Sequence, residues 1–484
     1  MRARIFTEEN RKWWTLAAVA FALFMIMLDN TVVNVALPSI ETDLGLEHRL
    51  SALEWVVSGY ALSFAVMMLA GGKLADMLGR RLIFVIGLAI FAGASLACGL
   101  AGSVEVLIAA RVVQGVGAAF MLPATLSIIS ATFPPRLRGT AIGIWAGVSA
   151  LALAIGPLVG GLITEHISWN WIFYINVPVG ALGIVAAMTI IRESKDTSHE
   201  QRLDVAGLVT SGVSFFAVTF AVIESNRYGW GSWTILGLFA LAAVALAAFV
   251  VVELKQRLPM FDLKLLRNGT FVGANIVAFL VTLAMFGVFF FISLYMQQVL
   301  QYSPTRAGAT FLPMTILIIL IAPIAGRASD RLGSRWLMAG GMTLVGASLL
   351  LFAQLQADST FWGILPGLVV GGTGMALTMT PMTAAAMSAV PVDKAGVGSG
   401  MLNTFRQVGG SFGIAIMGAI LANRSSTELG SGATQVDAFI SGLHEALYVG
   451  TAIAFTAAAV AALVVRSHAV GHGERSAVAE AEVA

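Results

Sequence analysis

The sequence predicts an all-α integral membrane protein, with two six-helix bundles and two additional helices between them. Three observations lead there: scarce charge, a one-sided distribution of Lys and Arg, and an internal repeat. Of 484 residues, 58% are hydrophobic and 11% charged, against roughly 25% charged in soluble globular chains. So few charges cannot cover a globule of this size, so most of its surface must face hydrocarbon. That excludes a water-soluble enzyme. The net charge of +2, with no long basic run, gives no nucleic-acid partner. The single cysteine, Cys98, excludes an internal disulfide and any paired-cysteine metal or redox motif.

A bilayer core of about 30 Å needs roughly 20 apolar residues of helix. Long apolar runs between polar breaks give fourteen spans: 16–38, 54–75, 82–100, 105–129, 139–163, 171–191, 204–223, 233–252, 271–296, 305–326, 336–354, 361–388, 396–421 and 443–465. Arg2, Arg4, Arg11 and Lys12 precede the first run as in a signal peptide. The run reaches Asp29 without a small-residue cleavage site, so it is expected to be an uncleaved first span. With these spans, 22 of the 28 Lys/Arg fall in loops or at span ends on the side of the N-terminus and 4 on the other side. Positive residues mark the cytoplasmic side. A multi-pass protein of the cytoplasmic membrane, with both termini in the cytoplasm, is therefore expected.

The segment from Gly72 to Arg81 (GKLADMLGRR) recurs from Gly326 to Arg335 (GRASDRLGSR), displaced by 254 residues. Spans two and three thus correspond to ten and eleven, an offset of six repeated helices plus two. Residues 1–191 are expected to form the first bundle, 192–270 the extra pair with flanking cytoplasmic loops, 271–466 the second bundle, and 467–484 a disordered tail. The extra pair has no ionisable residue well inside it and is expected to be a peripheral or spacing hairpin. Parallel repeats about an axis along the membrane normal are a transporter design, with the substrate site between the halves.

Ionisable residues deep in a span are costly and mark function. Three qualify: Asp29, Arg111 and Arg406. Asp29 lies about 14 Å and Arg111 about 9 Å below the outer ends of their spans at 1.5 Å per residue, so the two can pair. An Asp held by Arg stays ionised, whereas a desolvated Asp freed from it takes a proton. The pair is thus either a proton-coupling device or a static ion pair that fixes packing. Gln114 lies one turn from Arg111 on the same face. In span five, Gly143, Gly156, Pro157, Gly160 and Gly161 combine close-packing residues with a proline that kinks the helix.

These motifs together resemble the fourteen-span drug:proton antiporter branch of the major facilitator superfamily, over essentially the whole chain. Leu28 to Pro38 (LDNTVVNVALP) resembles its first-helix motif, and Gly72 to Arg81, with Asp76, Gly79, Arg80 and Arg81, the loop motif between helices two and three. Arg111, Gln114, Gly115 and Gly117 match the fourth-helix motif associated with proton transfer. Gly143 with Gly156-Pro157 and Gly160-Gly161 matches the fifth-helix antiporter motif, and Trp169 to Gly180 (WNWIFYINVPVG) resembles the sixth-helix entry. Met77 stands where the loop motif has a basic residue, and Ala152 where the antiporter motif has Gly. The resemblance implies the major facilitator fold, a monomer in the lipid bilayer, and proton-coupled efflux of hydrophobic or amphiphilic small molecules such as drugs or antibiotics. No cofactor is expected beyond the proton gradient. It further implies that Asp76 caps a cytoplasmic helix end of the other half, near Gly396, when the transporter faces outward, and that Arg80, Arg81 and Arg138 complete a charge cluster there.

Arg406 is open between binding an anionic group, balancing Asp29, and snorkelling to the cytoplasm. Met25, Asn34, Gln114, Trp145, Phe289, Tyr295, Phe405 and Arg406 are candidate substrate-cavity residues, since Met and aromatic side chains suit varied apolar ligands. A dedicated exporter of one metabolite or lipid is the alternative function. Residues 409–413 fit GxSxG but lie inside a span rather than at a strand-to-helix turn, and His468 and His472 lack further ligands for a metal. No phosphate-binding loop of the GxxxxGK[ST] type occurs. No catalytic or metal-binding residues are therefore expected.

Overall fold

The structure is a computed structural model that describes residues 8–46, 49–195, 204–256, 263–390 and 395–466. The expected tail, with His468 and His472, lies outside them, as do the side chain of Arg138 and the surroundings of Gly143. The described residues form helices and no strand. We number the long helices α1 (Glu8–Asp43), α2 (Leu50–Leu78), α3 (Arg80–Gly99), α4 (Val104–Thr132), α5 (Pro135–His166), α6 (Asn176–Ile190), α7 (Val205–Ile223), α8 (Trp233–Lys255), α9 (Gly269–Leu294), α10 (Leu312–Leu332), α11 (Ser334–Phe352), α12 (Phe361–Ser388), α13 (Ala395–Gly430) and α14 (Gln435–Val464). Thirteen helices among the described residues are long and apolar enough to cross a bilayer. The remaining one, α5, has side chains that the structure does not describe.

Local sequence sets several helix starts. Ser103 accepts from the Val106 N–H, Asp204 from Gly207, Ser303 from Arg306 and Thr434 from Asp437, each meeting a backbone donor that the first turn leaves free. Gly79 (φ 132°) joins α2 to α3 and Gly333 (φ 81°) joins α10 to α11. A side chain at either position would be strained, and at each a single residue turns the chain between two long helices. These glycines are 254 residues apart, so the sequence repeat is also a repeat of backbone geometry.

Packing repeats as well. In the first half α1 lies on α5, α2 and α3 on α4, and α3 on α6; in the second α9 lies on α13, α10 and α11 on α12, and α11 on α14. Two seams join the halves: α2 lies on α13, and α5 lies on α10 and on the short helix Pro304–Thr310 that precedes it. The hairpin α7–α8 is not only a spacer, because α7 touches both α2 and α13 and so covers one seam. Trp55 of α2 packs against Phe216 and Phe220 of α7 at ring distances of 5.9 and 5.8 Å.

Contacts at helix ends define two opposite faces. On one, Arg11 donates to the Ile190 carbonyl (2.7 Å), the Arg80 N–H to Ser194 (3.0 Å), and the Arg466 N–H to Thr270 (3.2 Å). On the other, Trp169 donates to Asp43 (2.8 Å), Gln298 to Glu41 (2.6 Å) and the Thr305 N–H to Glu165 (2.9 Å). The first is the Lys/Arg-rich face. Large apolar side chains on the outside, such as Leu236, Val244 and Leu254 of α8, have no protein to cover them, as expected where hydrocarbon is the solvent.

Candidate proton-coupling site

Asp29 of α1 and Arg111 of α4 meet in the interior of the first half. Their Oδ2 and Nη1 atoms are 2.5 Å apart and each residue is 1% exposed. The pair expected from sequence is therefore made, inside a larger polar cluster. Gln114, one turn along α4, accepts from Arg111 Nη1 (2.7 Å) and donates to Asp29 Oδ1 (2.9 Å) and to Ser95 Oγ of α3 (2.6 Å). Asn176, the first residue of α6, donates to the same Asp29 Oδ1 (3.2 Å) and to Ser95 (3.1 Å). Arg111 Nε donates to the Val56 carbonyl of α2 (3.1 Å), and the guanidinium carbon lies 4.2 Å from the centre of the Tyr60 ring. Phe173 covers it from another side at 5.7 Å. Gln114, Ser95 and Tyr60 are fully buried.

Sequence reading missed Ser95, Asn176, Tyr60 and the Val56 carbonyl, because it searched for charge. The available signal was a neutral one: Ser95 and Asn176 are polar residues within apolar runs. Asn176 is placed by a break in the sixth span, where the single turn Trp171–Tyr174 ends and α6 begins. The break brings an amide donor onto the carboxylate from an element that a continuous span would not single out.

The glycines of α5 act one turn beyond Asp29. A Cβ at Gly156 would overlap the Thr31 hydroxyl, and one at Gly160 would lie 2.7 Å from the Val32 carbonyl oxygen, so both let α5 lie against the α1 backbone. On its other side, Gly161 touches Pro304, and Gly308 touches the Pro157 carbonyl. The Gly-Pro cluster thus ties α1, α5 and the second half together near the face opposite the termini. Ala152 is fully buried here, and its small side chain keeps the close approach.

In the loop motif, Asp76 pairs with Arg80 (3.0 Å), and Arg81 with Glu193 (3.8 Å). The Arg81 and Leu82 N–H groups also donate to Glu193 (3.0 and 3.1 Å). Gly72 lies against Pro123 of α4. The described hydrogen bonds join Asp76 to its own half.

The candidate cavity residues are not gathered in one place. Met25 is buried in the core of the first half, and Gln114 belongs to the Asp29 cluster. Tyr295, fully buried, donates its hydroxyl to the Gln356 carbonyl (2.5 Å) near the face opposite the termini. Trp145 donates to Thr125 (3.0 Å), and Phe289 stacks near Phe311 at 5.1 Å. Asn34 has a buried Oδ1 with no hydrogen bond among the described residues. The Phe405 ring is half-buried on α13. Beside it, the buried Nε of Arg406 likewise has no hydrogen-bond partner among the described residues.

Comparison with known proteins matches residues 19–414 to the Major Facilitator Superfamily family model. The chain is 36% identical over 420 residues to the tetracenomycin C resistance and export protein of Streptomyces glaucescens, covering 86% of this chain and 77% of that one. It is 36% identical to the multidrug resistance protein Stp of Mycobacterium tuberculosis (84% and 75% covered) and to the methylenomycin A resistance protein of Streptomyces coelicolor (86% and 87%). Among solved structures, a bacterial homologue of the human lysosomal transporter Spinster, in an inward-facing and unoccupied conformation, superposes with a TM-score of 0.67 at 19% identity, covering 94% of this chain and 97% of that one. The repeated bundles, the seams between them and the matched family model agree: this chain belongs to the Major Facilitator Superfamily.

Proposed function

We propose that the chain exports hydrophobic or amphiphilic small molecules, such as drugs or antibiotics, in exchange for protons. It crosses the cytoplasmic membrane fourteen times, with both termini and the Lys/Arg-rich face in the cytoplasm. It works as a monomer without a cofactor, by alternating access of the two halves. The carrying observation is the buried cluster in which Asp29 meets Arg111, Gln114 and Asn176; the relatives named for drug or antibiotic resistance and export support the substrate class.

The geometry favours a breakable pair over a fixed one. Removing one partner of a buried ion pair typically costs about 3–5 kcal/mol, because the other charge is stranded. Arg111 is not stranded when Asp29 takes a proton. It keeps the Val56 carbonyl, the Gln114 oxygen and the face of Tyr60. A proton arriving from outside thus neutralises Asp29 and loosens α1 from α4, and the substrate leaves outward. Each charge crossing 100 mV supplies about 2.3 kcal/mol, enough for roughly a fifty-fold substrate gradient.

Asn34, Trp145, Phe289, Phe405 and Arg406 are the substrate contacts of this reading. The unpartnered Arg406 Nε favours substrates that carry an anionic or strongly accepting group. A dedicated exporter of one metabolite or lipid would use the same machinery with a narrower cavity. Inverted membrane vesicles containing the chain, energised by a proton gradient and offered cationic, neutral and anionic dyes, separate these readings. Gradient-dependent movement of several dyes supports multidrug export, whereas movement of none contradicts the proposed function.

A further inference from the structure

The two seams between the halves are copies of one arrangement. Displacing Glu54 of α2 by the repeat's 254 residues gives Gly308. In one seam Gly308 lies with bare backbone on the Pro157 carbonyl. In the other the corresponding place holds a carboxyl group: a Cβ at Gly418 of α13 would overlap Glu54 Oε1. Glu54 is 2% exposed. It lies close to the outer end of its span, where depth alone does not single it out.

A second carboxylate sits beside it. Glu224, at the end of α7, is 7% exposed and accepts from the indole of Trp55 (3.2 Å), the neighbour of Glu54 in α2. Its Oε2 is buried without a hydrogen bond. Among the described residues its ion-pair partner is Arg227 at 3.8 Å, whose side chain is 70% exposed. Other charges nearby are already paired: Arg49 with Glu105, and Arg424 of α13 with Glu428 and Glu445. Two largely buried acids therefore lie on neighbouring elements, and the guanidinium that meets Glu224 is itself mostly exposed, so two ionised carboxylates here are poorly compensated.

We propose that Glu54 is a proton-binding site that controls the outer end of the α2/α13 seam. Carrying a proton, it lies against Gly418 and the seam shuts. Ionised beside Glu224, it must reach water, and α2 with α7 swings away from α13. The proton is exchanged with the outer solution, so this site is separate from Asp29, which lies deeper and against different helices. It also gives the extra hairpin a role, since α7 supplies the second acid. Glu165, which bridges the other seam, does not provide this response: its hydrogen bonds from Thr305 and Ser303 hold its carboxyl below the usual range.

The test uses the full chain in lipid nanodiscs, with spin labels on Gly102→Cys and Ser431→Cys in outer loops of opposite halves. Cys98 is buried and stays unlabelled. Pulsed electron–electron distances are measured from acid to alkaline pH, applied on both sides so that membrane orientation does not matter. The measurement is made with Asp29→Asn, so that the Asp29 proton that favours outward release no longer contributes, and there the longer distance gains population as pH rises. Adding Glu54→Gln removes this response and keeps the short distance throughout. Gly418→Ala, whose methyl displaces the carboxyl, favours the longer distance at every pH. An unchanged response on adding Glu54→Gln, or no response in Asp29→Asn alone, overturns the proposal. Should Glu54→Gln fail to fold, an unchanged short distance in Gly418→Ala overturns it equally.

Discussion

Asp29 Oδ1 receives two amide donors, one from Gln114 and one from Asn176, while Oδ2 faces Arg111. Hydrogen bonds to a charged group are each worth about 1.5–3 kcal/mol. Asn176→Ala should therefore lower thermal stability by about that amount and slow proton-driven efflux without abolishing it. Thermal unfolding in detergent and dye efflux on the same variant check both. The charged members of this site were legible in sequence because ionisable residues are rare at such depth. Ser95 and Asn176 were not, because a neutral polar residue costs little and shows its meaning only when five helices bring it to the carboxylate. At the loop motif, Asp76→Asn should slow turnover more than it weakens substrate binding, since Asp76 pairs with Arg80 of the same loop motif, away from Asp29. Unchanged turnover, measured beside equilibrium dye binding, would reduce the motif to a topology signal.

Helix α5 offers a comparison within one element. Gly156 lies against Thr31, whereas a Cβ added at Gly147 would meet no atom within 4 Å. Gly156→Ala should cost about 1–3 kcal/mol through overpacking, while Gly147→Ala should be neutral or slightly stabilising, by up to about 1 kcal/mol. Thermal shifts of the two variants give the answer directly. The outer end of α5 also carries a pH dependence. Hydrogen bonds from Thr305 and Ser303 lower the Glu165 pKa, so its contribution is present above the ordinary carboxylate value of about 4.3 and is lost as pH falls through the depressed one. Glu165→Gln should thus melt slightly below the parent chain at neutral pH and converge with it in acid. Hydropathy located these helices but not their ends: α13 runs to Gly430 and α14 begins at Gln435, because polar residues extend a helix past the apolar run. The breaks at Ile175 and Phe311, and the π-helical turn Tyr295–Val299, left no hydropathy signal.

At the scale of the molecule, the GKLADMLGRR repeat foretold both the backbone turn at Gly79 and Gly333 and the repeated packing of the halves. What one repeat cannot reveal is how the copies differ across the seams. One seam closes on glycine, and the other on Glu54 under the cover of α7. The central claim remains that Asp29 exchanges the proton that drives substrate movement. Proteoliposomes with an imposed pH gradient, loaded in turn with a cationic, a neutral and an anionic dye, test it most directly, with the parent chain and Asp29→Asn compared at equal incorporation. The account predicts that a protonophore stops transport of whichever dye the parent chain moves, and that Asp29→Asn binds that dye but shows no gradient-driven transport. Gradient-driven transport by Asp29→Asn at the parent rate would contradict it.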